Sequence, residues 1–137
     1  MRMLGEETAM TKKDNPLIAV VDDDSAVLES VSDLLASAGF ASVSFASAQG
    51  LLDCEELPAI RCVVSDIRMP VINGWQLASI LRSRYPALPI VLITAHETEE
   101  SGVLAYPHLL ATVHVLRKPF EASVLLRTID NAILPLS

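Results

Sequence analysis

The sequence is poor in aromatic residues. One Trp, two Tyr and three Phe make up 4% of its 137 residues. The core must therefore be aliphatic, which suits helices packed closely on a buried parallel sheet. Cysteine is also scarce. Cys54 and Cys62 stand eight positions apart and fit neither CxxC nor a zinc spacing. They are expected as free buried thiols in a reducing cytosol. No apolar run approaches the roughly 18–20 residues that a membrane helix needs. The N-terminus has no continuous apolar stretch before its charges, so neither a signal peptide nor an anchor is expected. Basic residues are outnumbered, 10 Lys and Arg against 17 Asp and Glu, for a net charge of −7. That field repels phosphate backbones and anionic membranes, which argues against nucleic acid or membrane as a partner. Lys12-Lys13 is too short a basic run to change this. A soluble cytoplasmic protein is the expectation.

What is present excludes overall disorder: 51% of residues are hydrophobic and 20% charged. The length allows one domain with one real core. Residues 1–15 are expected to be loosely ordered and residues 16–137 to form the domain.

After Pro16, the run Leu17-Ile18-Ala19-Val20-Val21 stops at Asp22-Asp23-Asp24. A short continuous apolar run ended by acids predicts a fully buried strand. Val27, Leu28, Val31, Leu34, Leu35 and Ala38 then share one helical face. Gly39 follows as a C-cap, and Asp24 or Ser25 can cap the start. The alternation recurs. Ala41–Phe45 predicts a strand and Ser47–Leu57 a short helix ended by Pro58. Cys62–Ser65 predicts a third strand ending at Asp66. Pro70 and Asn73-Gly74 signal turns. Trp75, Leu77, Ala78, Ile80 and Leu81 mark a helix ending before Pro86. Pro89–Ile93 predicts a fourth strand ending at Thr94, and Val113–Leu116 a fifth ending at Lys118-Pro119. Val124, Leu125, Ile129 and Ile133 mark a final helix. Glu97–Tyr106 is ambiguous, because Gly102 and Pro107 oppose a helix there. A short or distorted helix is expected in that segment.

Five strands alternating with helices imply an α/β parallel sheet covered on both faces, with right-handed crossovers. In such sheets the site lies beyond the carboxyl ends of the strands. Asp22, Asp23, Asp66, Thr94 and Lys118 each fall just past the end of an apolar strand. Four strands thus deliver them to one edge.

Three carboxylates brought together repel unless protonated or bridged by a cation. Oxygen ligands without His or Cys favour a hard ion such as Mg²⁺. A carboxylate beside such an ion can act as a nucleophile and form an aspartyl phosphate. Lys118 offers a compact positive charge, and Thr94 a hydroxyl, for phosphoryl oxygens. Chemistry of this kind needs mainly positioning and charge neutralisation.

The stretches IAVVDDDSAVLES, CVVSDIRMPVINGW, LPIVLITAHE and LRKPF span Ile18 to Phe120. In their order and spacing the sequence resembles the receiver domain of two-component response regulators, and within it the receivers of the nitrogen-fixation regulator group. The resemblance implies a flavodoxin-like doubly wound (βα)5 fold with strand order 2-1-3-4-5. It implies that Asp66 is the phosphoacceptor, and that Asp22, Asp23, Asp66 and the main-chain carbonyl of Arg68 hold Mg²⁺. Thr94 matches the switch hydroxyl and Ala95 the small residue beside the phosphoryl group. Arg68 and His96 stand at the variable positions flanking that group, where they are placed to influence water access. Lys118 matches the family lysine, and Pro119 the proline whose preceding peptide is usually cis. The implied partner is a sensor histidine kinase or a histidine phosphotransfer protein. The implied action is phosphorelay signalling, by contact with an unidentified downstream protein or by phosphoryl shuttling. The protein would be no enzyme beyond its own Mg²⁺-dependent phosphorylation and dephosphorylation.

The sequence departs from the family at the switch. Val115 stands where an aromatic usually does, three residues before the lysine. Ala111-Thr112 replaces the usual Gly-Ala, and the span from Thr94 to Lys118, with Pro107 inside it, is longer than usual. These changes touch the readout rather than the chemistry. Only 17 residues follow Phe120, so a stand-alone receiver is expected. Two rivals remain. One is a phosphorylation-independent receiver-like interaction module, which Val115 supports and the intact acid, Thr and Lys set opposes. The other is a Mg²⁺-dependent phosphatase of the haloacid-dehalogenase type, since Asp22-Asp23-Asp24-Ser25 loosely resembles DxD; it leaves Asp66 unexplained. Trp75 is expected as a partly buried helix residue, and His108 and His114 as ordinary surface or strand residues.

Overall fold

The computed structural model describes residues 16–95, 106–109 and 112–133. Five strands run through it: β1 Leu17–Val21, β2 Ala41–Phe45, β3 Cys62–Asp66, β4 Ile90–Thr94 and β5 Val113–Arg117. Four α-helices occur among the described residues: α1 Ser25–Ser37, α2 Ala48–Leu52, α3 Gly74–Arg84 and α4 Ala122–Ile133. All strand pairs are parallel, in the order β2-β1-β3-β4-β5. This is the expected doubly wound sheet. The expected N-terminal segment 1–15, the helix expected over Glu97–Tyr106 (Tyr106 itself excepted) and His96 lie outside the described residues.

Side chains alternate across the sheet, and each set meets a different pair of helices. Ala19, Val21, Val63, Ile90 and Leu92 pack with Leu51, Leu77 and Leu81. Ile18, Val20, Val64, Val91 and Ile93 pack with Val31, Leu35, Leu125 and Ile129. β1, β3 and β4 are covered on both faces, which is why their sequences are continuously apolar. β2 and β5 are the edges and show more surface.

Helix ends follow local chemistry. The Asp24 carboxylate caps α1 by accepting from the Ala26 amide. Gly39, at φ +91°, closes the helix: its amide donates to Ala36 O and the Phe40 amide to Leu35 O. That is a Schellman closure, with Phe40 packed on the same core as Leu35. Ala38 is the C-cap and lies off the buried face. Asn73 and Gln76 form a reciprocal capping box at α3.

The second helix is shorter than the sequence predicts. Ser47 caps it, but it ends at Leu52, and a separate 3₁₀ turn covers Leu57–Ala59. The Asp53 amide closes the helix on Gln49 O, and Pro58 is accommodated within the 3₁₀ turn, from which Leu57 enters the core. β4 starts at Ile90, because Pro89 has no amide to give; its carbonyl accepts from Val63 N. Trp75 is 5% exposed and belongs to the core. His108 and His114 are exposed.

Candidate functional site at the carboxyl edge of the sheet

The register brings the strand ends level. Val21 pairs with Ser65, Asp66 with Ile93, and Thr94 with Arg117. The residues that follow therefore meet at one edge. Asp22, Asp23, Asp66, Arg68, Ala95 and Lys118 all line one cleft of about 530 Å³, together with Asp24, Val27, Met69 and Pro70.

Asp22 is buried at the end of β1. Its amide bonds Phe45 O at 3.1 Å, and its carboxylate accepts from the Asp24 amide at 2.9 Å. Burial pushes its pKa above the ordinary carboxylate value. The Asp24 amide opposes that shift, the Asp66 charge adds to it, Lys118 opposes it, and Asp23 adds to it least. Asp23 is exposed and Asp66 half-buried. One ligand oxygen from each of Asp22, Asp23 and Asp66 lies within 4.8 Å of the others. Such a set fits a hard divalent cation, which would relieve the repulsion that Asp66 and Asp23 add to the burial of Asp22. Asp24, engaged as the α1 cap, stands outside the set.

Asp66 is held from two sides. Its carboxylate accepts a long bond from the Arg68 amide, 3.4 Å, and its carbonyl accepts from the Ser65 hydroxyl at 2.8 Å. The loop that follows is pinned by alternate side chains. Ile67 and Met69 enter the core, while Arg68 and Pro70 face out. Gly74 then brings α3 against the strand end. Its amide donates to Ile67 O at 2.8 Å. A Cβ there would lie 2.7 Å from both Asp66 O and Ile67 Cα. In the sequence Asn73-Gly74 signals only a turn. The close approach depends on the fold, and no local pattern announces it.

Val71 was equally silent in the sequence. It sits at φ +70° between Pro70 and Ile72, and the Ile72 amide donates to Pro70 O at 2.8 Å. This is a γ-turn of the rare, strained form. A β-branched residue there costs about 1–3 kcal/mol.

Thr94 is fully buried at the end of β4, one residue before Ala95 in the cleft. Its carbonyl accepts from the Lys118 amide at 2.7 Å, which locks the lysine's backbone to β4. The Lys118-Pro119 peptide is cis. Val115 lies on β5 opposite Leu92 and is 36% exposed. The arrangement can thus hold a cation against a nucleophilic carboxylate, with Lys118 lining the same cleft.

Known proteins share this architecture. Residues 18–130 match the family described as response regulator receiver domain. The transcriptional regulatory protein FixJ of Bradyrhizobium diazoefficiens is 39% identical over 116 residues, 85% of this chain and 56% of that protein. The DNA-binding transcriptional regulator NtrC of Klebsiella pneumoniae is 32% identical over 114 residues, 83% of this chain and 24% of that protein. Among solved structures, a response regulator receiver domain protein from Clostridium thermocellum superimposes with a TM-score of 0.79. It is 27% identical over 88% of this chain and 96% of its own. Full-length FixJ from B. japonicum gives a TM-score of 0.74 at 39% identity, over 87% of this chain and 58% of its own. The chain therefore spans about half of FixJ and about a quarter of NtrC.

Proposed function

Because this chain belongs to the receiver-domain family of response regulators, we propose that Asp66 accepts a phosphoryl group from a phosphohistidine on a sensor kinase or phosphotransfer protein. Members of this family are regulatory domains of two-component signal transduction rather than conventional enzymes. The observation that carries the proposal is the convergence of Asp22, Asp23 and Asp66, within 4.8 Å of one another, in one cleft with Lys118.

In the transfer, an Asp66 carboxylate oxygen forms a bond to phosphorus while the phosphorus–nitrogen bond of the donor breaks. The imidazole nitrogen leaves with the bonding pair and takes up a proton. Asp22, Asp23, Asp66 and the Arg68 carbonyl would hold Mg²⁺, which supplies positive charge beside the phosphoryl oxygens. Lys118 places its ammonium against the same oxygens, with its backbone fixed by Thr94 O. Ala95 leaves room for the group. The Thr94 hydroxyl, on the residue before Ala95, would act as the switch donor to the same group. Arg68 and His96 flank the group and tune the access of water. Signalling then proceeds by protein contact or by passing the phosphoryl group onward, since about −1.5 to −2 added charges alter the surface around the cleft.

The test is intact mass after incubation with Mg²⁺ and acetyl phosphate. A gain of roughly 80 Da in the wild type, absent from Asp66→Asn, supports the reading. Failure of the wild type to gain mass or to form a beryllofluoride complex would overturn it. That result would favour the phosphorylation-independent interaction module, to which the non-aromatic Val115 points.

A further inference from the structure

Three polar or charged side chains are buried among the described residues: Asp22, Ser65 and Thr94. The proposed phosphoryl transfer uses Asp22 and Thr94 but not Ser65. Ser65 is 1% exposed on the central strand of the sheet, after the apolar residues Cys62, Val63 and Val64. By alternation it shares the face of Val63, which packs with Leu77 and Leu81 of α3. Alanine would bury there without the cost of desolvating a hydroxyl. A hydroxyl kept in such a place calls for a reason.

The reason lies in the peptide unit that follows the phosphoacceptor. The Ser65 hydroxyl donates to Asp66 O at 2.8 Å. At the other end of the same peptide, the Ile67 amide donates to Ile93 O at 3.0 Å. A peptide unit is a rigid plane, so a bond at each end fixes its rotation. That rotation sets the direction in which Asp66 projects its carboxylate. It also sets how the chain continues to Arg68, whose amide donates to that carboxylate at 3.4 Å. Helix α3 restrains the same place from outside. A Cβ on Gly74 would lie 2.7 Å from Asp66 O, and the Gly74 amide donates to Ile67 O at 2.8 Å. Both of those amides are main chain. The Ser65 hydroxyl is the side-chain part of the grip.

We propose that Ser65 is a positioning residue for phosphoryl transfer: its hydroxyl holds the Asp66–Ile67 peptide and so keeps the Asp66 carboxylate aligned for attack. The inference rests on the phosphoacceptor reading of Asp66. Misalignment of the attacking oxygen slows bond formation and leaves donor binding nearly unchanged, because Ser65 is buried behind the reactive cleft and touches no donor.

The experiment compares wild type, Ser65→Ala, Ser65→Thr and Val64→Ala. Threonine keeps the hydroxyl. Val64→Ala takes core volume from the opposite face of the same strand and controls for lost stability. Ser65→Ala removes less volume than that control. Each protein is labelled at saturating Mg²⁺ over a range of acetyl phosphate concentrations. Hydrogen exchange of the Ile67 amide is followed separately, without metal or donor, relative to the amides of β1. Ser65→Ala should lower the maximal labelling rate about fivefold, the factor of one hydrogen bond, with the half-saturating acetyl phosphate concentration within twofold of wild type. Its Ile67 amide should exchange about fivefold faster than in wild type. Ser65→Thr and Val64→Ala should stay within twofold of wild type in both measurements. A Ser65→Ala rate within twofold of wild type would overturn the proposal. So would equal slowing in Val64→Ala, or Ser65→Thr as slow as Ser65→Ala. Slowing without faster exchange at Ile67 would also overturn it, by placing the effect away from this peptide. If the wild type takes no label, the phosphoacceptor reading fails first, before Ser65 is altered.

Discussion

The two halves of the carboxyl edge are built differently. On the β1–β3 side, Asp22 and Asp66 end strands that are covered on both faces. The loop after Asp66 is pinned by Ile67, Met69 and Gly74. On the β4–β5 side, β4 is buried throughout, but β5, which among the described residues pairs only with β4, shows much of its length to solvent. Positional precision therefore belongs to the half that carries the acids, where transfer chemistry demands it. The other half combines one fully buried residue, Thr94, with an edge strand. A signal is more easily read from an edge than from a strand that both layers clamp.

The largest effect expected is on the rigid half. Asp66→Asn should abolish labelling by acetyl phosphate while leaving the protein folded. The amide keeps the size of the carboxylate and removes the nucleophile. Residual labelling of the variant, mapped by peptide mass, would show that another group accepts the phosphoryl and would break the contrast at its root.

Next comes a pair of neighbours across β4 and β5. Leu92 and Val115 are register partners, yet Leu92 is fully buried and Val115 is 36% exposed. Leu92→Ala should cost about 3 kcal/mol in urea unfolding, as expected for a core leucine that leaves a cavity. Val115→Ala should cost less than about 1 kcal/mol. Comparable losses would mean that β5 is as tightly packed as β4, and the edge would lose its special standing.

Gly74 tests the rigid half from its backbone. A methyl group at 2.7 Å from Asp66 O and Ile67 Cα meets main chain that cannot swing aside. Gly74→Ala should cost about 2 kcal/mol and slow labelling of Asp66, because the strand end itself must shift. The control is Gly50→Ala, where the added Cβ would meet nothing closer than 3.5 Å. Its φ is not in the left-handed range, and alanine raises helix propensity, so it should gain a few tenths of a kcal/mol.

These contrasts also explain what was legible in the sequence. The buried strands were, because a strand covered on both faces has to be apolar at every position, and their acid or polar terminators followed at once. Strand order came from the resemblance, since many parallel topologies share one alternation. The length of α2 was misread, because Leu57 continues a helical spacing although the helix closes at Leu52 and the chain re-enters the core through a separate 3₁₀ turn. Gly74 and Val71 were invisible for a different reason. One is defined by what approaches it from β3, and the other by a φ that its residue type argues against. Tertiary proximity and strain leave no period in the chain.

The smallest effect probes the cost of assembling the acids. Asp22 is buried among like charges, and its folded pKa lies above the ordinary 3.8. As pH rises, the unfolded chain loses this proton first, so the folded state binds more protons through that window. Stability contributed by this group then falls with rising pH and stays low at neutrality. Asp22→Asn keeps an oxygen for the Asp24 amide and removes the charge. Without metal it should be more stable than wild type by about 1 kcal/mol at pH 7, and the gap should close as pH falls toward 3.8. Added Mg²⁺ should reverse the ranking, since binding to the folded state stabilises only the protein that retains the site. A gap independent of pH and of Mg²⁺ would place the origin of the stability difference outside the acid cluster. The two halves would then differ in packing alone, without the charge strain that a bound cation relieves.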